Sequence, residues 1–194
     1  MKILLINPPS ENELHGNNPS IIEEERGYNP PLGILYIAGY LEKHTNFSVE
    51  VLDTQADEIG YDHLKDRILA NLPDVVGITA MTFTLIDVIK VINLIKSIRP
   101  EIKVVLGGPH VHIYPEETIN IPGVDFLVLG EGEVTFKELV ENIDNPARLR
   151  SIPGLVFKEN GRVINTGARP LNENLDSLPF PARHLTPVQK YSSL

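Results

Sequence analysis

Five short runs of Val, Ile and Leu recur without polar alternation: Lys2–Asn7, Val49–Asp53, Asp74–Thr79, Lys103–Leu106 and Asp125–Leu129. A strand with one wet face alternates apolar and polar residues. A continuous apolar run of strand length is expected where both faces are covered, as in parallel sheets. Between the runs lie segments of helical period. Leu32–His44 and Tyr61–Leu72 are two, the latter with Leu64, Ile68, Leu69 and Leu72 as its apolar positions. In Leu85–Ile98 the residues Leu85, Val88, Ile89, Ile92, Ile95 and Ile98 make one stripe, and Thr84 and Asp87 have the spacing of a capping box. Glu116–Asn120 has room for a turn or two, and Glu133–Ile143 turns Phe136, Leu139, Val140 and Ile143 inward. Strand and helix alternating five times predict an α/β fold with right-handed crossovers. The expected form is an open, flavodoxin-like (Rossmann-like) five-stranded parallel sheet in the order 2-1-3-4-5.

The rest of the chain reads differently. Leu155–Glu159 and Arg162–Asn165 flank Asn160-Gly161, the dipeptide favoured in a two-residue hairpin turn. After Gly167 the periodicity is lost, and Pro170, Pro179, Pro181 and Pro187 interrupt small and polar residues. The expected division is a domain over 1–145 and a hairpin with a Pro-rich linker over 146–194. The segment after about 167 is expected to be loosely packed and to lead toward a further domain. Seventeen basic against 26 acidic residues give a formal charge of −9, the wrong sign for a nucleic-acid or anionic-membrane surface. No apolar run approaches the ~20 residues of a spanning helix. There is no cysteine to form a disulfide or hold a thiolate metal site. A cytoplasmic globular protein is the expectation.

Parallel sheets bind ligands outside the carboxyl ends of their strands, so the residues that follow each strand are the ones to inspect. Asn7-Pro8-Pro9 opens an irregular stretch reaching Pro31, far longer than an ordinary βα connection. The third strand runs into Thr79-Ala80-Met81-Thr82-Phe83-Thr84, where Thr84 suits a helix cap and Thr79 and Thr82 suit ligand hydrogen bonds. The fourth ends in Gly107-Gly108-Pro109-His110, a pair of glycines that permits close approach to backbone. His110 and His112 lack the further ligand a closed metal site needs, so no metal is expected. The fifth gives Gly130-Glu131-Gly132-Glu133, carboxylates that also serve as dipole partners at a helix start. No G-x-G-x-x-G follows the first strand and no G-x-x-x-x-G-K-[ST] occurs, which removes a dinucleotide fingerprint and a P-loop. Asn7 and Thr79 stand where a phosphoacceptor receiver needs acids.

Asn7-Pro8-Pro9, Pro31-Leu32-Gly33-Ile34-Leu35-Tyr36-Ile37-Ala38, Gly107-Gly108-Pro109-His110 and Gly130-Glu131-Gly132-Glu133 stand in an order that resembles the N-terminal cobalamin-binding domain of cobalamin-dependent radical-SAM enzymes. Leu178-Pro179-Phe180-Pro181-Ala182-Arg183 resembles the linker before the catalytic barrel of that family. The resemblance implies a cobalamin whose nucleotide tail lies in a slot beside Gly107 and Gly108. Thr79 and Thr82 would then bond its base or ribose, and the corrin would meet Asn7, Pro8, Pro109, His110 and the Gly130, Glu131, Gly132 turn. It implies a radical-SAM barrel in cis, holding a [4Fe–4S] cluster and S-adenosylmethionine, that lies outside this cysteine-free chain. The parent would transfer methyl groups or catalyse an anaerobic cyclisation on a small molecule. Another cobalamin family supplies a cobalt-ligating His from D-x-H-x-x-G, and Glu13-Leu14-His15-Gly16 misses that pattern. Base-off cobalamin with no protein histidine on cobalt, and no catalytic residue in this chain, are therefore expected. The alternative is a regulatory module holding FMN or a nucleotide, with a phosphate at the Gly130–Gly132 turn.

Overall fold

The computed structural model describes residues 1–14, 16 and 28–191. Seven strands form one sheet: β1 (Lys2–Asn7), β2 (Ser48–Asp53), β3 (Val75–Thr79), β4 (Lys103–Gly107), β5 (Phe126–Val128), β6 (Leu155–Glu159) and β7 (Arg162–Asn165). Their order is β2-β1-β3-β4-β5-β6-β7. The first five pair in parallel in the expected order, and β6 and β7 continue the sheet antiparallel. The expected five-stranded sheet is thus too small. An Asn-Gly turn says only that two strands pair with each other. It does not say that the edge of β5 is filled by Leu155-Val156-Phe157, which sets Phe126 opposite Phe157 and Val128 opposite Leu155.

Among the described residues, seven α-helices connect or flank the strands: α1 (Leu32–His44), α2 (Tyr61–Asn71), α3 (Leu85–Ile98), α4 (Pro109–Ile113), α5 (Pro115–Ile119), α6 (Gly132–Glu141) and α7 (Pro146–Leu149). Because strand side chains alternate between faces, each run divides between two cores. Ile3, Leu5, Val75, Val105, Val128 and Leu155 pack under α1 and α6 with Leu35, Ala38, Phe136 and Leu139. Leu4, Ile6, Val76, Ile78, Val104 and Leu106 pack under the opposite layer with Leu64, Ile68, Val88, Ile92 and Ile95. This double coverage is why the strands read as unbroken apolar runs. In α2 only Leu64 and Ile68 are buried. Leu69 is exposed, and the helix stops at Leu72, whose φ of 45° turns the chain out of the helix. No helix among the described residues is long and apolar enough to cross a membrane.

Two local expectations change. Thr84 and Asp87 do not form a capping box, since the Thr84 side chain makes no cap bond to α3. The fully buried Asp87 carboxylate instead accepts from Asn12 N–H at 3.0 Å, Asn12 Nδ2 at 2.8 Å and the Tyr61 hydroxyl. Lys90 Nζ holds Asn12 Oδ1 at 2.9 Å, and Leu14 N–H donates to the Phe83 carbonyl at 2.9 Å. The start of the long connection after β1 is thereby fixed to α3. Burial and the neighbouring carboxylate raise the Tyr61 pKa, so its hydroxyl stays a donor. The segment after Gly167, although exposed along most of its length, is tied to the domain at several points. Arg169 reaches Thr135 and Glu138, Ala182 is buried against α1, and Tyr191 bonds Asp53.

Removing the Asp87 carboxylate leaves the Tyr61 hydroxyl and two Asn12 donors short of a partner. Asp87→Ala should cost about 1–3 kcal/mol in denaturant unfolding, the penalty of unpaired, partly buried polar groups. Ile86→Ala, on the exposed side of the same helix, should stay within about 0.5 kcal/mol of the parent.

Candidate functional site

The site is built by what is missing from one face of the sheet. On β3 the side chains under α1 and α6 are Val75, then Gly77, then Thr79, and on β4 they are Val105, then Gly107. Register sets Leu5 beside Gly77, Gly77 beside Val105, and Thr79 beside Gly107. Toward the carboxyl edge the floor therefore loses its branched side chains, while the helices above remain. The result is a cavity of about 270 Å³, walled by Gly33, Ile34 and Ile37 of α1 and by Gly132, Glu133 and Phe136 of α6. Gly107, Gly108, Gly130 and Glu131 close its outer end. The lining is mostly apolar, with Thr79 and the two glutamates as its side-chain polar groups.

The lining glycines act in different ways. A Cβ on Gly77 would stand 2.7 Å from Leu5 Cδ2 and 3.1 Å from Phe136 Cε2, and one on Gly132 would stand 2.9 Å from Ile37 Cδ1. Gly77 lets α6 close on the sheet, and Gly132 lets α6 pack directly against α1. A Cβ on Gly107 would meet only the Val128 carbonyl at 3.7 Å, and one on Gly33 would meet nothing within 4 Å. Side chains there would grow into the open space. Gly108 is different again, because its φ is 102° and a Cβ would lie 2.8 Å from the Ala80 carbonyl oxygen. It is required by its positive φ and by the close approach of the turn after β4 to the Ala80 backbone.

The structure brings together Thr79, Gly107, Gly108, Gly130, Glu131 and Gly132 from the sequence-derived set. Asn7 lines a neighbouring hollow of about 220 Å³ with Asn29, Pro31, Gly33 and Thr79, while its Nδ2 donates to Asp53 Oδ1 at 2.8 Å. Pro8 is buried, and its carbonyl accepts from Gln55 Nε2 at 2.9 Å. Thr82, Pro109 and His110 lie outside the cavity lining. Thr82 Oγ1 is 3.1 Å from His110 Nδ1, and the buried His110 ring stacks at 5.3 Å on Tyr114. Burial lowers the His110 pKa against the opposing charge of Glu117. His15 lies outside the described residues.

Gly77, Gly33, Ile37 and Phe136 are cavity residues that the strand-end inspection missed. Gly77 carried a signal, since a glycine inside an otherwise branched strand marks a close approach. Gly33 and Ile37 stand in the Pro31–Ala38 run that carries the resemblance, and Phe136 carries no signal, because it reads as an ordinary stripe residue.

Residues 20–140 match the B12 binding domain. The chain belongs to that family. This B12-binding domain is 40% identical, over its whole length, to an uncharacterized methyltransferase of Pyrococcus horikoshii, covering 40% of that protein. It is 31% identical to the anaerobic magnesium-protoporphyrin IX monomethyl ester cyclase of Rubrivivax gelatinosus, over 85% of this chain and 31% of the cyclase. Among solved structures, the cobalamin-dependent S-adenosylmethionine radical enzyme OxsB with aqua-cobalamin and S-adenosylmethionine bound superposes with a TM-score of 0.74 at 20% identity. That match covers 93% of this chain and 24% of the enzyme. The radical S-adenosylmethionine methyltransferase TsrM of Kitasatospora setae, with cobalamin and a [4Fe-4S] cluster bound, gives 0.67 at 21% identity over 92% and 31%. The B12-binding domain thus spans well under half the length of these relatives. None of them supports the flavin or nucleotide alternative.

At the β1–β2 end of this B12-binding domain, Asp53 is buried and divides its carboxylate between Asn7 and the Tyr191 hydroxyl, the latter at 2.9 Å. Burial, with the Asp53 bond adding to it and the Thr186 bond opposing it, pushes the Tyr191 pKa up to about 12. A raised folded-state value means stability present in full below the ordinary pKa of 10.0 and lost as pH rises toward about 12. Alkaline titration followed by tyrosinate absorbance should show a late phase that Tyr191→Phe removes. The same variant should flatten the loss of thermal stability between those two values.

Proposed function

We propose that this B12-binding domain carries base-off cobalamin for a radical-SAM methyltransferase or cyclase, with the nucleotide tail in the cavity between α1 and α6. The observation that carries the reading is the glycine-floored cavity at the carboxyl edge. Its volume lies at the low end for ligand pockets (about 300–1,000 Å³), which suits a planar base with part of its sugar and not a macrocycle. The residues fit such a tail. Ile34, Ile37, Val128 and Phe136 offer apolar walls to an aromatic base, and Thr79 offers a hydroxyl beside the Gly107 backbone. The corrin would rest outside, on the Gly107–Gly108 and Gly130–Gly132 turns, with Asn7 and the hollow at Pro31 along its edge.

When bound, cobalamin supplies a cobalt centre that accepts a methyl group and hands it on. The protein's part is to take the base away from cobalt, exclude water from it and leave the lower face without a side-chain ligand. His110 supports this by position, since its imidazole lies outside the cavity lining with Nδ1 against Thr82 Oγ1. A phosphate-binding module fits less well. The first turn of α6 already holds Glu131 and Glu133, which repel an anion where a phosphate would meet the helix N-terminus. A [4Fe–4S] cluster and S-adenosylmethionine would be held in a barrel in cis that binds the small-molecule substrate, since the 194 residues include no cysteine.

Hydroxocobalamin mixed with the purified chain should give a saturable base-off visible spectrum. Gly107→Val places a branched side chain in open space at a residue of ordinary backbone conformation, so the fold should persist while affinity falls about ten- to hundredfold. Absence of any spectral uptake by the folded parent chain would overturn the reading. Anaerobic reconstitution with iron and sulfide should give no cluster absorbance and no cleavage of S-adenosylmethionine by this chain alone.

A further inference from the structure

Residues 167–191 run across the two helices whose inner sides wall the cavity. At α6, Arg169 Nε donates to Thr135 Oγ1 at 2.7 Å and its guanidinium pairs with Glu138, while Asn172 N–H donates to Glu131 Oε2 at 3.0 Å. At α1, Ala182 N–H donates to the Leu35 carbonyl at 3.0 Å, although that carbonyl lies inside a helix. The approach is possible because residue 39 has no side chain. A Cβ on Gly39 would stand 2.5 Å from the Phe180 carbonyl oxygen and 3.4 Å from Ala182 N. Ala182 is buried, Leu185 packs into the same core, and His184 Nε2 lies 3.1 Å from Glu42 Oε1.

The gripped residues alternate with the lining ones. Leu35 and Gly39 sit between and beside Ile34 and Ile37, and Thr135 and Glu138 flank Phe136. A glycine inside a helix is disfavoured relative to alanine, so α1 gives up local stability at the one place where the crossing chain needs its backbone. The segment also leaves a second hollow of about 290 Å³ between itself and α6, sharing Glu131 and Glu133 with the main cavity. Its hold on α6 is therefore through polar tips, whereas its hold on α1 is backbone against backbone.

We propose that residues 167–185 are a brace that, together with the direct contact of Gly132 with Ile37, fixes the separation of α1 and α6 and so sets the width of the cavity, with Gly39 and Arg169 as its positioning residues. The consequence for ligands rests on the cavity being the nucleotide-tail slot. The mechanical part does not. A brace acting on the slot discriminates between corrinoids, since a tail in the slot feels its width and a corrin resting outside does not.

The test uses the whole chain carrying Gly39→Ala, which drives a methyl group into the Phe180 carbonyl, and separately Arg169→Gln, which loosens the opposite end. Hydrogen exchange without ligand should quicken over Ile34–Leu41 and Thr135–Leu139 in both variants, with β1 and β3 amides unchanged. Alanine alone would favour the helix and slow exchange, so the sign separates the brace from a local propensity effect. Hydroxocobalamin affinity should fall about tenfold, while affinity for dicyanocobinamide, which lacks the nucleotide tail, should stay level. Unchanged exchange in both variants overturns the brace, as does equal loss of affinity for both corrinoids. If the parent chain binds neither corrinoid, the slot reading fails and the exchange result alone decides the brace.

Discussion

The parallel register of β1, β3 and β4 governs the rest of the structure. It sets Leu5, Gly77 and Val105 in one row across the sheet and Thr79 and Gly107 in the next. In the first row the single glycine is tightly covered, and in the second β3 and β4 offer nothing larger than a threonine. The two helices above cannot sink into that gap, because each is held further along by its own core contacts, Ala38 and Leu41 for α1 and Leu139 and Val140 for α6. A cavity at the carboxyl edge follows from strand register plus residue size. Slipping β3 or β4 by one residue would turn its glycine to the opposite face, and could bring Ile78 or Leu106 into its place.

Buried acids do a different job from the one a strand-end inspection assigns to polar residues. Asp53 and Asp87 are both buried, and neither lines the cavity. Each instead ends a loop by accepting several donors. Asp87 holds the start of the connection after β1, and Asp53 holds Asn7 together with Tyr191 from the far end of the described chain. Donors converging on a buried carboxylate satisfy it and fix the chain segments that carry them. The cavity has only carboxylates at its mouth, and its interior is apolar.

Most of the fold was legible because a doubly covered parallel sheet writes itself into sequence as unbroken apolar runs. Strands, the stripe of α3 and the order of the first five strands followed from that. What was not legible depended on contacts distant in sequence. The docking of Leu155-Val156-Phe157 on β5 has no local mark, and neither has the packing of Ala182 on Leu35, which joins residues far apart through a single amide. Pro-rich, aperiodic sequence was read as slack. Proline lowers the entropy of a chain before it docks, so a proline-rich segment can lie extended along a surface with few contacts. The candidate site was half legible: residues after strands β3, β4 and β5 were found, and residues contributed from within β3 and from the inner sides of α1 and α6 were not.

The glycines show why the same residue type could not be read uniformly. Gly108 answers to backbone conformation, since its φ of 102° and the Ala80 carbonyl leave no place for a side chain. Gly77, Gly132 and Gly39 answer to close approach, each with a neighbour inside 3.0 Å of where a Cβ would stand. For Gly39 that neighbour is the backbone of a segment distant in sequence. Gly107 and Gly33 answer to neither demand, for their positions would accept a side chain without a clash in the protein alone. A position that packing leaves free and that still lacks a side chain points to something outside the protein as its reason. On this chain those two positions line the same cavity, one on the sheet and one on α1.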